Sequence, residues 1–100
     1  MINSGARLES QVCETQVIVI RTTTALDDLR CGGTPMVPIG EKNGATADLD
    51  PRFAGGTALG KRYVHDSGAE LLVTRPGTGT LTVGDTPLEI KQAKALPSSD

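Results

Sequence analysis

The chain has very few aromatic residues. Phe53 and Tyr63 are the only ones among its 100 residues, and tryptophan is absent. No apolar run approaches the roughly 20 residues that a membrane-spanning helix needs. No basic stripe is interleaved with aromatic residues, as a nucleic-acid-binding surface would require. We therefore expect partners that are neither membranes nor nucleic acids.

Cysteine and net charge are also low, with two cysteines and a formal charge of −2. Residues 1–10 lack the basic start and apolar stretch of a secretory signal, so a cytoplasmic location is expected. In that compartment cysteines are thiols or metal ligands more often than stable disulfides.

Glycine and proline are plentiful, and β-branched residues fill the apolar runs, which favours strands over helices. Strands are predicted at 16–21, 29–31, 61–65, 70–75, 80–83 and 88–91. The unbroken apolar run at 17–20 predicts burial on both faces of its strand. The core is expected to contain Val17, Val19, Leu29, Met36, Leu71, Val73, Leu81, Val83, Leu88 and Ile90.

Two stretches of the chain follow one plan. Residues 29–36 and 81–88 both read Leu-x-x-Gly-x-Thr-Pro followed by a large apolar residue, and an apolar run ending in Arg21 or Arg75 precedes each. The sequence thus predicts an all-β single domain, 1–100, of two related β-hairpin units packed face to face. Its parts are a first repeat at 11–39, a Gly/Ala-rich linker at 40–60, a second repeat at 61–91 and a flexible tail at 92–100.

Three connecting segments have predicted roles. Residues 1–10 are expected to be a loose arm, and 22–28 a polar connection. Asp50 and Pro51 have the chemistry of a helix start, so a short helical turn anchored by Phe53 is predicted inside the linker.

The repeat unit resembles the desulforedoxin module, a small β fold also found at the N-terminus of desulfoferrodoxins. The closing motif of that family, Leu-x-Cys-Cys-Gly-x-(Pro or Asp)-Met, aligns with 29–36 without a gap. Cys31 falls on the first cysteine of the pair and Gly32 on the second, while Cys13 falls near the second cysteine of the opening Cys-x-x-Cys. The second repeat keeps Tyr63 but has no cysteine. The resemblance implies a degenerate tandem copy that keeps the fold and has lost most ligands of the family's iron or zinc.

Cys13 and Cys31 are the candidate site residues, and three interpretations stay open. In the first, the two cysteines are packing residues, and in the second they are a redox pair. In the third they are metal ligands that would complete a tetrahedral zinc or iron site across a homodimer. His65, at the position of a family cysteine in the second unit, is a weaker metal candidate.

The economical function for a β module without a complete site is a non-catalytic accessory or protein-binding subunit, without cofactor. The family context implies an oxidoreductase as its partner. The alternative is a metal-binding or redox module that uses Cys13 and Cys31. A thiol enzyme would need a positioned base near one of the cysteines, and no catalytic residue is assigned.

Overall fold

The computed structural model describes residues 2–40 and 49–91. These residues form ten short strands and two 3₁₀ helices, at Thr24–Asp28 and Pro51–Phe53. The all-β fold class is therefore confirmed. The strands are β1 Arg7–Glu9, β2 Gln16–Arg21, β3 Leu29–Cys31, β4 Thr34–Pro35, β5 Val37–Pro38, β6 Arg62–Val64, β7 Glu70–Arg75, β8 Leu81–Val83, β9 Thr86–Pro87 and β10 Glu89–Ile90.

The strands form two antiparallel sheets. One has six strands in the order β10-β6-β7-β2-β1-β5, and the other has four in the order β4-β3-β8-β9. Each order is symmetric about its centre, where β2 pairs with β7 and β3 pairs with β8. Two equivalent halves would give this order, and the equivalence of their backbones stays a prediction.

The two halves are joined edge to edge within both sheets, because each sheet has strands from both halves at its centre. The expectation that two units pack face to face is therefore wrong. Backbone hydrogen bonds between central strands unite the halves in a way that the sequence pattern of either half does not specify.

The tight turns after β3 and β8 use glycine for its backbone freedom. Gly32 has a φ of 66° and Gly84 has a φ of 59°, a region that other residues adopt with strain. These turns reverse the chain into β4 and β9, so each shared Gly-x-Thr-Pro block forms a hairpin, where the sequence predicts only a break in the strand.

Buried residues from both sheets form one hydrophobic cluster within the described part of the chain. Val17 lies opposite Val73 and Val19 opposite Leu71 in the six-stranded sheet. The predicted core residues that are buried are Val17, Val19, Leu29, Met36, Leu71, Val73, Leu81 and Leu88.

Three burial predictions are wrong. Val83 is only half-buried, while its neighbour Thr82 is fully buried and donates its hydroxyl to the Gly84 carbonyl. Ile90 is 44% exposed because it lies on the edge strand β10. In β2 the buried Val17 and Val19 alternate with more exposed isoleucines, so only one face of this strand is buried.

Two segments are more ordered than predicted. The arm at 1–10 contains β1, whose Leu8 is buried beside Val17 of β2. The connection at 22–28 contains a 3₁₀ helix, and its Leu26 is fully buried. In both cases the segment is polar on average, but one leucine within it is buried in the core.

The helical turn predicted in the linker is confirmed. Asp50 caps Pro51–Phe53 by accepting a hydrogen bond from the Arg52 amide, and Phe53 is buried. The earlier part of the linker, 41–48, and the predicted tail, 92–100, lie outside the described residues. Within the described ranges no helix has the length and apolarity that crossing a membrane requires.

Candidate functional site

Cys13 lies in the connection between β1 and β2, which is held from within by two buried polar residues. The amide of Ser10 donates to the Thr15 carbonyl at 2.9 Å and closes the connection. The Ser10 hydroxyl accepts from the amides of Val12 and Cys13, both at 3.1 Å. Ser10 and Thr15 are fully buried, whereas Cys13 is half-buried, so the connection leaves this thiol partly accessible to solvent.

Cys31 is the last residue of β3 and is buried between the two neighbouring strands, opposite Thr34 of β4 and Leu81 of β8. Its side chain has no exposed surface. The fold brings its Sγ to 3.7 Å from the Sγ of Cys13, although the two residues are 18 positions apart in the chain.

A glycine-containing turn at 76–79 covers the two thiols. The Gly79 amide donates to the Cys13 Sγ at 3.4 Å. A Cβ at Gly79 would lie 2.9 Å from the Cys31 Sγ, and one at Gly77 would lie 3.0 Å from the Cys13 Sγ. Both glycines therefore supply space, because any larger side chain would displace the turn from the thiols.

Hydroxyl groups connect this turn to the Cys13 connection. The Thr15 Oγ1 lies 3.3 Å from the Cys13 Sγ and 3.1 Å from the Thr57 Oγ1. The Gly77 amide in turn donates to the Thr57 Oγ1 at 3.0 Å. The result is a polar network around the more exposed of the two sulfurs.

The pKa values of the two thiols are shifted in opposite directions. Burial alone would raise the pKa of Cys13, but hydrogen bonds with Ser10, Thr15 and Gly79 outweigh it and lower the pKa to about 7. Burial raises the pKa of Cys31 to about 12, and the neighbouring Cys13 charge adds to this effect. Near neutral pH, Cys13 is therefore partly thiolate and Cys31 is a thiol.

Cys13 also lines a cleft of about 410 Å³ on the surface, which Cys31 does not reach. One wall contains an ion pair between Arg75 and Glu14, 2.8 Å apart. The complete lining is Glu9, Gln11, Val12, Cys13, Glu14, Gln16 and Arg75.

The two sulfurs fit part of a metal site. Two thiolates on a tetrahedral zinc with bonds of about 2.3 Å lie roughly 3.8 Å apart, close to the separation here. However, the described residues contain no group of three or more His, Cys, Asp and Glu side chains placed to hold a metal. A partner chain would have to reach Cys31, which is fully buried beside Gly79. The donors present thus do not make a tetrahedral site.

His65, the weaker metal candidate, lies at the start of the connection between β6 and β7. Its Nδ1 is 2.9 Å from the Ser67 Oγ and accepts from the Ser67 amide at 3.1 Å. The structure does not bring it into a metal-binding group with the cysteines, and it is likewise not placed beside Cys13 as a base.

Sequence reasoning identified both cysteines but missed the groups around them. Gly79 lies 66 positions from Cys13, and Thr57 lies 42 positions from Thr15. The only local signal for these groups was the sequence Gly77-Thr78-Gly79. It predicts a turn, but it does not predict that the turn packs on the two cysteines.

No protein-family model, curated protein or solved structure matches this chain. The likeness to the desulforedoxin module stays a prediction.

Proposed function

We propose that this chain is a thiol–disulfide redox module in which Cys13 attacks and Cys31 resolves. The observation that carries the proposal is the 3.7 Å separation between a half-buried sulfur on a cleft and a fully buried one. In a dithiol of this kind the two cysteines have different roles. The accessible thiolate attacks the substrate, and the shielded thiol reacts only after the mixed disulfide has formed.

The proposed reaction balances within the dithiol and a disulfide substrate. The Cys13 thiolate attacks one substrate sulfur and forms a mixed disulfide, while the other sulfur leaves as a thiolate and takes a proton. Cys31 then attacks the Cys13 Sγ, the bond between Cys13 and the substrate sulfur breaks, and the Cys31 proton passes to that departing sulfur, which leaves as the second substrate thiol. The protein dithiol is oxidised by two electrons and the substrate disulfide is reduced to two thiols.

The second step requires a modest movement. A disulfide bond is about 2.05 Å long, so the two sulfurs must approach by roughly 1.7 Å. Cys13 lies in a connection between strands and Cys31 at a strand end, so the connection is the part that can move. The glycines at 77 and 79 pack closely against the sulfurs, since a Cβ at either position would lie within 3.0 Å of one of them.

Burial favours this function over the shared zinc site. A metal bridging two chains needs all of its ligands at the interface, and Cys31 has no exposed surface. A resolving thiol needs no access to solvent, because it reacts with a sulfur that is already beside it. A cytoplasmic location fits the proposal, since reducing conditions there return the disulfide to the dithiol. The accessory role also fits, with a protein partner, such as an oxidoreductase, carrying the disulfide.

The test is an equilibration of the purified chain in mixtures of oxidised and reduced dithiothreitol, followed by acid quench and intact mass. We expect one reversible loss of two hydrogen atoms within the monomer. With hydroxyethyl disulfide, Cys31→Ser should accumulate one adduct at Cys13, and Cys13→Ser should accumulate none at the same pH.

Ser67→Ala is the matched control, because Ser67 lies in the corresponding connection of the other half and contacts neither cysteine. It should exchange like the unmodified chain. Two thiols that react independently, with no intramolecular disulfide at any ratio of the two dithiothreitol forms, would refute the proposal.

A further inference from the structure

A second cleft adjoins the one beside Cys13. It measures about 380 Å³ and shares Gln16 and Arg75 with the first. Its lining consists of Arg7, Gln16, Ile18, Ile39, Thr74 and Arg75. The two clefts meet at Gln16 and Arg75, and together we call them the groove, whose first part is lined by Cys13.

The strand register places the groups of this groove. Gln16 and Ile18 lie two positions apart on β2, so they share a face and are about 7 Å apart. Arg75 is paired with Gln16, and Arg7 is paired with Ile18. The groove therefore runs along β2. Arg75 lies beside Gln16, nearer to Cys13, and Arg7 lies beside Ile18, two positions further along the strand.

The charge of the second cleft has one sign. Arg7 and Arg75 line it, and none of the described carboxylates does. Arg75 is paired with Glu14 in the first cleft, whereas Arg7 makes no ion pair with any described residue. Beside these cations, Ile39 is 43% exposed and Ile18 is partly exposed. The cleft thus combines an open guanidinium with an aliphatic surface.

We infer that this second cleft binds the polypeptide segment next to the reacting cysteine of a protein disulfide. An acidic side chain of that segment lies against Arg7, and an aliphatic one packs on Ile18 and Ile39. The inference rests on the proposed function, since the groove matters because its first part is lined by the attacking thiol. An extended segment advances about 3.3 Å per residue, so two of its residues span the roughly 7 Å between Gln16 and Ile18.

Two short peptides test this assignment. Each is acetyl-Cys-Ala-X-Ile-amide with its cysteine in a mixed disulfide with 2-mercaptoethanol, and X is aspartate in one and lysine in the other. The full chain reduces either probe to peptide thiol and 2-mercaptoethanol while its own dithiol becomes a disulfide. Stopped-flow mixing with mass detection gives the rate for each probe, and hydroxyethyl disulfide is the small neutral reference.

We expect the aspartate peptide to react about two- to fivefold faster than the lysine peptide, the range for one exposed ion pair. The ratio of the two peptide rates should fall toward one in roughly 0.5–1 M salt, because salt screens the interaction between exposed charges. Arg7→Gln should remove the preference without changing the rate with hydroxyethyl disulfide. Arg21→Gln makes the same change of charge at an exposed position that lines neither cleft, and it should keep the preference.

The outcomes separate this inference from the proposed function. Reaction with hydroxyethyl disulfide but equal rates for the two peptides would overturn the assignment of the second cleft and leave the dithiol chemistry standing. Absence of reaction with all three probes would refute the redox function itself. Equal loss of preference in Arg7→Gln and Arg21→Gln would also overturn the assignment, because net charge would then explain it.

Discussion

The backbone amide of Gly79 points at the Sγ of Cys13 and donates to it at 3.4 Å. The donor belongs to the turn between β7 and β8, and the acceptor to the connection between β1 and β2. One half of the chain thus stabilises the thiolate of the other. The same glycine packs against Cys31, since a Cβ there would lie 2.9 Å from the Cys31 Sγ. The same turn therefore adds to the hydrogen bonds from Ser10 and Thr15 that lower the pKa of Cys13, and it also shields Cys31.

The reactivity of Cys13 should follow its lowered pKa of about 7. The thiolate is the nucleophile, so alkylation by iodoacetamide should speed up as pH rises through about 7 and level off above it. Cys31 should stay unmodified across this range, because its pKa is raised to about 12 and its side chain is buried. Peptide mapping after timed quenches measures both, and Cys13→Ser is the control. A midpoint near the ordinary thiol value of about 8.5 would contradict this account.

Gly79→Ala should weaken the thiolate of Cys13. The new Cβ would lie 2.9 Å from both the Cys31 Sγ and the Gly32 nitrogen, so the turn must shift and its amide hydrogen bond must lengthen. We expect the midpoint of Cys13 alkylation to move to higher pH and Cys31 to become more accessible. Thr78→Ala, at an exposed position of the same turn, is the matched control. An unchanged midpoint in a folded Gly79→Ala variant would show that this amide does not set the acidity.

Zinc should not be held tightly by the monomer. Cys13 and Cys31 supply two of the four ligands that a structural zinc needs, and no third His, Cys, Asp or Glu joins them among the described residues. Elemental analysis of chain purified without chelator, together with native mass, measures the ratio. Any zinc that does bind should be one ion per two chains and should be lost, with the dimer, in Cys31→Ser. One tightly held zinc per monomer would refute the two-ligand argument.

Leu81→Ala should destabilise the fold by about 2–5 kcal/mol, the usual cost of truncating a buried leucine. Leu81 is 1% exposed and lies opposite Cys31 in the centre of the four-stranded sheet. Urea unfolding followed by circular dichroism measures the change in the free energy of unfolding. Leu59→Ala, at a side chain that is 63% exposed, should have little effect. A loss below about 0.5 kcal/mol for Leu81→Ala would contradict its place in the core.

Strands with strong local patterns were predicted well. The bounds of β2 and β7 agree with the predicted runs at 16–21 and 70–75, because β-branched and aliphatic residues there are bounded by polar ones. The turns after β3 and β8 follow from glycines at positions of positive φ. Such features depend on neighbouring residues, so the sequence is sufficient to identify them.

Elements that depend on distant partners were missed. β1 is short and mostly polar, and it forms because β2 and β5 offer hydrogen bonds on either side. Thr82 is buried because β3 and β9 flank β8, while Ile90 is exposed because β10 ends its sheet. Burial at these positions follows from strand order, which no local pattern of polar and apolar residues contains.

The candidate site divides in the same way. The sequence by itself determined the all-β class, the glycines that break the strands and the pair of cysteines worth examining. Tertiary structure alone decided that Cys13 and Cys31 lie 3.7 Å apart, that one is accessible and the other buried, and that Gly79 covers both. The physical reason is that thiol chemistry depends on distance, burial and hydrogen-bond donors. These are set here by the pairing of β3 with β8 and by a turn 66 positions from Cys13 in the chain.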